Sequence, residues 1–358
     1  MPQIPEMMKA LVAHAPGDYR LETIPVPRAG ADDVIVKVEG CGVCAGDTKA
    51  YAGAKRFWGG DGTPPYIKGP VVPGHEFVGT VVEVGPDQKE FAPGDRVVSE
   101  QIVPCGECRY CKTGRYWMCQ KHDIYGFQHY VNGGMAEYMR YPHGSRNYRI
   151  PREMPLEQAL LIEPFGCSKH CVDRAEISNE DFVVLSGAGT LGLGMVGAIR
   201  KRNPAVLAVL DRNDLRLAKA KEFGADMVLN PGREDVIARV LALTGGYGCD
   251  IYIEASGHSD SVGQGLEMIR KLGRFVEFSV FKDPATVDWS IIGDQKELDI
   301  LGSHLSPYCY PWVIEWILDG SLPTAGVVTH TFPLDDWKKA FDLALTGGDN
   351  AIKVAVVP

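Results

Sequence analysis

No apolar stretch in this 358-residue chain approaches the roughly 18 to 20 residues that cross a bilayer, so a membrane span is not expected. The amino-terminal MPQIPEMMKALVAH lacks the basic-then-apolar layout of a secretory signal, and a soluble cytoplasmic protein is the expectation. Runs of Lys and Arg long enough to track a phosphate backbone are also missing. The formal charge is 37 − 46 = −9, which makes nucleic acid an unexpected partner. Internal repeats and low-complexity tracts are absent, which argues against solenoids and disordered tails. What remains is ordinary globular composition, 45% hydrophobic and 23% charged, at a length that suggests two or three domains. Ten cysteines are the unusual feature. In a reducing compartment they stay thiols, so metal binding explains them better than disulfides.

The first part of the chain reads as short Val-rich strands bounded by turn residues: KALVAH, DVIVKVEG, FVGTVVEVG and DRVVSE. From about Glu163 the rhythm becomes strand, Gly-rich turn and helix. Strands are expected at DFVVLSGAG, LAVLDRND, DMVLN, DIYIEASG and RFVEFSV, with helices at DLRLAKAKEFG and SVGQGLEMIRKLG. Such alternation implies right-handed crossovers and a parallel sheet. After about Leu305 two amphipathic helices, PWVIEWILDG and DDWKKAFDLALTGG, precede a last strand, AIKVAVV, expected to pack back on the first module. GAKRFWGGDGTPPYIKG, from Gly53 to Gly69, reads as a loop, a lid or a channel wall.

VVLSGAGTLGLGMVGAI places Gly187, Gly189 and Gly192 as G-x-G-x-x-G between a predicted strand and a predicted helix. The first glycine suits a tight turn, the second a close approach of pyrophosphate, and the third close packing of helix on strand. Asp211 ends the next predicted strand, 19 residues after Gly192, where a carboxylate accepts the ribose hydroxyls and repels a 2′-phosphate. NAD is therefore expected over NADP. Arg212 either offsets that repulsion in part or is a solvated loop residue.

Cys105, Cys108, Cys111 and Cys119 form C-x2-C-x2-C-x7-C. Four thiolates so spaced close a tetrahedral shell around Zn²⁺ and leave no open position, which is a structural role. An iron–sulfur cluster takes the same residue type, but the short even steps with one longer step fit a zinc lobe better. A second, dispersed set comprises Cys44, His75, Glu76 and Glu163. Cysteine, imidazole and carboxylate together suit a catalytic zinc with an open site, whereas a His-Glu pair by itself is more often structural. Neighbouring His75 and Glu76 both reach one ion only if the backbone bends, which Gly74 allows.

These residues, in this order along essentially the whole chain, resemble the zinc-containing medium-chain dehydrogenase family and its polyol, sorbitol-like branch. The similarity also includes Asp47, Glu163-Pro164, FPLDDWKKAF and IKV. Within the branch, QIVPCGEC, RFWGG, TVDWSII and PYCYP look most similar to erythritol/threitol dehydrogenases. The resemblance implies an α/β chain: a GroES-like β-barrel catalytic domain over 1–165, with a zinc lobe at about 100–122, and a Rossmann doubly wound parallel sheet over 166–304. Residues 305–358 would return to the catalytic domain, and the active site would lie in the cleft between the two. It further implies NAD, two zinc ions per chain, a homotetramer, and oxidation of a secondary alcohol of a short polyol to a ketose. Cys44, His75 and Glu76 would be ligands, Glu163 a ligand or the residue holding a zinc-bound water, and Asp47 either the partner of a ligand imidazole or a helix cap. Leu191, Arg216 and Ser256 would join the glycines and Asp211 around the cofactor.

Three departures from the resemblance bear on mechanism. Gly46 stands where many relatives have a hydroxyl that passes on the alcohol proton, and Lys49 stands where some have a histidine. The proton is then expected to leave by water held at Glu163, or through Thr48. Leu305 replaces an arginine of hexitol-type members, which agrees with a shorter substrate. Tyr51, Phe57, Trp58, Phe127, His304 and Tyr308 are candidate pocket residues, each equally readable as packing. Cys167, His170 and Cys171, though at helical spacing, are expected to pack inward rather than bind a third metal, and Cys41, Cys249 and Cys309 to be buried thiols. Two other readings remain open: a zinc alcohol, sugar or threonine dehydrogenase, and a non-catalytic NADH-binding member of the fold.

Overall fold

The structure is a computed structural model that describes residues 3–281 and 283–358. Met1 and Pro2, at the start of the expected catalytic domain, lie outside the described residues. The chain divides into two compact units: Met1–Glu163 with Tyr310–Ile314 and Thr324–Pro358, and Pro164–Cys309 with Glu315–Pro323.

The first unit is built on strands. β1 (Met7–Ala15) and β2 (Asp18–Pro25) form a hairpin ribbon, and β3 (Val34–Val43) is followed by helices α1 (Ala45–Tyr51) and α2 (Lys55–Trp58). Next come β4 (Glu76–Val84), β5 (Arg96–Ser99), β6 (Ile102–Val103), helix α3 (Arg109–Lys112), β7 (Asp123–Ile124), β8 (Tyr138–Tyr141), β9 (Asn147–Arg149) and helix α4 (Leu156–Ala159). Val34, Ile35, Val36, Phe77, Val78, Val81, Val97 and Tyr141 are all buried, so the sheet's Val-rich runs supply the core. The expected loop over residues 53–69 contains the short helix α2, since Phe57 turns inward and is buried.

The second unit opens inside helix α5 (Ile162–Ala175) and alternates regularly: β10 (Phe182–Ser186), α6 (Thr190–Arg200), β11 (Val206–Leu210), α7 (Asp214–Glu222), β12 (Met227–Leu229), α8 (Val236–Leu243), β13 (Cys249–Glu254), α9 (Ser259–Met268), β14 (Ile269–Glu277) and β15 (Asp299–Gly302). All pairings in its sheet are parallel, in the order β12-β11-β10-β13-β14-β15. This is the doubly wound arrangement, whose strand order reverses beside β10. One local expectation fails. IRKLG is strand rather than helix, because α9 stops at Met268 and Ile269 turns extended (φ −75°, ψ 139°) to pair with Cys249.

Helix α10 (Tyr310–Leu318) leads to β16 (Val328–Pro333), α11 (Trp337–Thr346) and β17 (Lys353–Val357). The last two strands complete the first unit's sheet, of order β16-β17-β3-β4-β5-β9 with β8 on β3. Two registers matter for the site: Val354 lies opposite Val43, and Gly42 opposite Glu76. No helix among the described residues is long and apolar enough to cross a membrane.

Candidate active site and metal centres

The four-cysteine segment has almost no core of its own. None of the residues of α3 is buried, and Tyr110 and Met118 are exposed. Its order comes from sulfur. One ligand atom from each of Cys105, Cys108, Cys111 and Cys119 lies within 4.8 Å of the others. The Cys105–Cys111 and Cys108–Cys111 sulfurs are 3.9 and 3.5 Å apart. Sulfurs at about 2.3 Å from zinc sit about 3.8 Å apart on a tetrahedron, so the spacing fits that ion. Backbone N–H groups also point at sulfur, from Cys105 to Cys119 (3.3 Å), Cys108 to Cys105 (3.4 Å) and Gln120 to Cys108 (3.4 Å). Such donors favour thiolate, and backbone N–H groups from Cys111 and Gln120 bring the Cys108 thiol down to about 6. Tyr116, in the 3-10 turn of this lobe, donates its hydroxyl to Glu100 at 2.6 Å. Tyr148 donates to the other oxygen of Glu100 at 2.7 Å, and Arg146 stacks 4.2 Å over the Tyr116 ring.

The second group is drawn from remote segments. β3 ends at Val43, and Cys44 becomes the N-cap of α1. Asp47 closes a capping box: its Oδ2 accepts the Cys44 N–H at 2.9 Å, while its Oδ1 lies 3.6 Å from His75 Nδ1. The same carboxylate therefore caps the helix and faces the imidazole, which unites the two readings offered for it. Gly74 has φ +97°, a region costly for any residue with a Cβ, and a Cβ there would also sit 2.6 Å from Cys41 Sγ. That bend lets His75 face Cys44 while Glu76 starts β4. One donor atom each of Cys44, His75 and Glu76 falls within 4.8 Å of the other two. Burial opposes charge on His75, yet Asp47 and Cys44 outweigh it and raise the imidazole above its usual range. Its Nδ1 is buried with no hydrogen-bond partner, which a small shift towards Asp47 would supply. A thiolate, an imidazole and a carboxylate around one buried point fit a zinc ion.

Lys353 is the residue that sequence reasoning missed. Its Nζ donates to both Glu76 oxygens at 2.7 and 2.6 Å and to the Val43 carbonyl at 3.3 Å, with both side chains nearly sealed from solvent. A single lysine in the apolar run AIKVAVV was the available signal. Gly42 makes room for this pair, since a Cβ there would sit 2.1 Å from Glu76 Oε2. Glu163, in the first turn of α5, stands outside the three-residue cluster; its Oε1 accepts from Gln101 Nε2 at 2.5 Å. It lies near enough for its charge to act on both His75 and Lys353.

Among the pocket candidates, Phe127 lies 5.7 Å from the His75 ring and stacks on Phe57 at 5.4 Å. Tyr51 instead joins Tyr19, Trp337 and Phe341 in an aromatic cluster. Trp58 donates to the Ala50 carbonyl at 2.7 Å. Thr48 donates its hydroxyl to the Ala45 carbonyl at 3.1 Å, within its own helix, so its proton is already committed. His304 and Tyr308 fall in the second unit, Tyr308 half-exposed. Cys41, Cys171, Cys249 and Cys309 are fully or almost fully buried, Cys167 nearly so, and His170 is held down to about 4 by burial. Among the described residues, only the two groups above bring three or more potential metal ligands together.

In the second unit, a cleft of about 300 Å³ is lined by Gly187, Gly189, Asp211, Arg212, Arg216, Ser256 and His258, among others. Gly192 lies under the turn, where a Cβ would meet the Gly187 carbonyl oxygen at 2.0 Å. Leu191, in the first turn of α6, accepts from Ser168 through its carbonyl at 2.8 Å. Asp211 is braced by the N–H groups of Ala188 and Asn213, each at 2.8 Å. The buried Glu254 holds the opposite wall, accepting from Ser256 N (2.9 Å), Ser256 Oγ (2.5 Å) and Ser261 Oγ (2.6 Å). An anion-receptive glycine turn at a helix N-terminus, with a carboxylate at the next strand's end, suits a dinucleotide.

A sheet of doubly wound order in one unit and a strand-built unit with two zinc-fitting groups in the other define a class, and the chain belongs to it. Residues 30–152 match the alcohol dehydrogenase GroES-like domain and residues 191–319 the zinc-binding dehydrogenase family. More particularly, it is similar to an erythritol/L-threitol dehydrogenase of Mycolicibacterium smegmatis, with 46% identity covering 99% of each chain. Among solved structures it resembles a candidate zinc-binding dehydrogenase of Sinorhizobium meliloti 1021 bound to NADP, with 27% identity, a TM-score of 0.89, and coverage of 99% of this chain and 100% of that one. It also resembles an alcohol dehydrogenase of E. coli CFT073 complexed with NADH, with 28% identity, a TM-score of 0.88 and the same coverage.

Proposed function

We propose that the protein is an NAD-dependent zinc polyol dehydrogenase that oxidises a secondary alcohol of a short, erythritol- or threitol-like polyol to a ketose. The first unit would serve as the catalytic domain and the second as the cofactor domain, with residues 305–309 and 315–323 of the expected return segment falling in the second. The observation that carries the reading is the convergence of Cys44, His75 and Glu76 within 4.8 Å, with Glu163 held nearby. Bound zinc supplies Lewis acidity towards an alcohol oxygen, and bound NAD supplies the hydride acceptor.

The chain's own residues do the rest. Cys44, His75 and Glu76 hold the metal, and Cys105, Cys108, Cys111 and Cys119 hold a second, structural one. Asp47 orients the His75 ring. Lys353 balances the Glu76 charge, so the ligand set is less negative than its residue types suggest. Glu163 retains water and takes the alcohol proton outward, a route favoured because Gly46 has no hydroxyl and the Thr48 hydroxyl is engaged with Ala45. Phe127 and Phe57 wall the pocket. Asp211 selects NAD by accepting from the ribose hydroxyls and repelling a 2′-phosphate; Asp211→Ser should shift the NADP-to-NAD preference by on the order of tenfold, about 1.4 kcal/mol.

A homotetramer fits an open sheet edge: β15 is terminal in its sheet, Ile300 on it is 39% exposed and Trp289 before it 71%. Light scattering of the purified protein measures that assembly. The cysteine-rich lobe suits the reducing cytoplasm.

The deciding experiment follows NADH formation across four- to six-carbon polyols, primary alcohols and threonine. Turnover greatest with a four-carbon polyol is the expected result. Preference for threonine or a primary alcohol would move the protein elsewhere in the family, and silence with all substrates at two zinc ions per chain would make it a binding protein. Glu163→Gln is expected to cut turnover while zinc content stays at wild type.

A further inference from the structure

We propose that Gln101 is a positioning residue for the Glu163 carboxylate, and that the four-cysteine lobe keeps Gln101 in place through the adjacent Glu100. The inference rests on the proposed role of Glu163 beside the Cys44–His75–Glu76 group.

Gln101 and Glu163 are 2% and 8% exposed, and the Gln101 amide donates to Glu163 Oε1 at 2.5 Å across 62 residues of sequence. A buried carboxylate needs donors. Here an amide serves, which fixes direction without cancelling charge, unlike the ammonium that Lys353 offers Glu76. The negative charge of Glu163 is thus kept where His75 and Lys353 feel it.

The Gln101 backbone is pinned. Its carbonyl accepts the Tyr125 N–H at 3.0 Å, the preceding Glu100 N–H donates to Arg146 at 2.9 Å, and the Ser99 carbonyl accepts the Tyr310 hydroxyl at 3.1 Å. Glu100 and Gln101 form the link between β5 and β6, and their side chains take separate partners. While the Gln101 amide reaches Glu163, the Glu100 carboxylate, 1% exposed, takes hydrogen bonds from Tyr148 and from Tyr116 of the lobe. Tyr116 lies between Cys111 and Cys119, so the order of the lobe fixes one end of a two-residue lever whose other end is the amide on Glu163.

The test uses full-length, zinc-loaded protein with its best polyol. Gln101→Met, which preserves volume but not the amide, is expected to lower kcat by about 10- to 100-fold with KM within about twofold and two zinc ions per chain retained. Tyr116→Phe is expected to act in the same direction by less than about tenfold, with lobe zinc intact. The visible spectrum of protein carrying Co²⁺ in the Cys44 site beside a zinc-filled lobe gives a readout independent of turnover, and it should shift in Gln101→Met. Wild-type kcat and an unshifted spectrum in Gln101→Met, while Glu163→Gln is impaired, would overturn the inference. A fully active Glu163→Gln would instead overturn the role given to Glu163 itself. If Gln101→Met does not fold, Tyr116→Phe decides, and an unchanged kcat there refutes the link to the lobe.

Discussion

The four-cysteine lobe and the Cys44–His75–Glu76 group each gather their donors within 4.8 Å, yet they are assembled by opposite means. The lobe takes its ligands from one 15-residue stretch, aims backbone N–H groups at the sulfurs and leaves its outer side chains in water. The second group takes its donors from the end of β3 and the start of β4, with His75 and Glu76 buried and Cys44 partly so, and is ringed by charges from α1, α5 and β17. A metal site made of near neighbours depends on the metal for its order. One made of distant neighbours depends on the sheet, which must hold unlike charges together before any ion arrives.

The largest expected effect is in the lobe. Cys119→Ser should remove one zinc of two and expose residues 105–119 to limited proteolysis, since structural zinc contributes roughly 10 kcal/mol or more in isolated zinc-binding peptides. Retained lobe zinc would break the comparison. Next is Lys353→Met, which strands the buried Glu76 carboxylate and should cost about 3–5 kcal/mol in urea unfolding while lobe zinc is unaffected. Combining it with Glu76→Gln should recover most of that loss; no recovery would mean that Lys353 stabilises by packing alone. Asp47→Asn is expected to weaken only the second zinc, by about 10- to 100-fold in competition with a chelator. The smallest effect is set for Gly46→Ser, whose Cβ would meet Cys44 Sγ and His75 Cε1 at 3.8 and 3.9 Å, ordinary contact. Stability should stay within about 0.5 kcal/mol, and a large rise in kcat would reveal a proton route that bypasses Glu163.

The same contrast decides what could be read from the residues alone. Cys105 to Cys119 and Gly187 to Gly192 declare themselves because spacing along the chain is the geometry. Cys44, His75 and Glu76 could be named singly, with Gly74 as the hint of a bend, but their meeting depends on β3 lying against β4. Gly42 and Gln101 carried no local signal, and Lys353 only that of one lysine in an apolar run; the partner of Lys353 and the role of Gly42 arise from registers such as Gly42 opposite Glu76 and Val354 opposite Val43. IRKLG misled for a different reason: its apolar spacing suits a helix, but pairing with β13 outweighs it.

The pairing of Glu76 with Lys353 also has a bearing on synthesis. A ribosome adding about 5 to 20 residues per second needs roughly 14 to 55 s to add the 277 residues that separate the two. Throughout that interval the growing chain carries a carboxylate destined for burial without its counter-ion, and β3 without the neighbouring strand β17. The four-cysteine lobe, by contrast, can load its metal as soon as Cys119 leaves the exit tunnel. With zinc held as proposed, metal uptake in the nascent protein would have an order, the lobe filled early and the second centre finished only by one of the last strands to emerge.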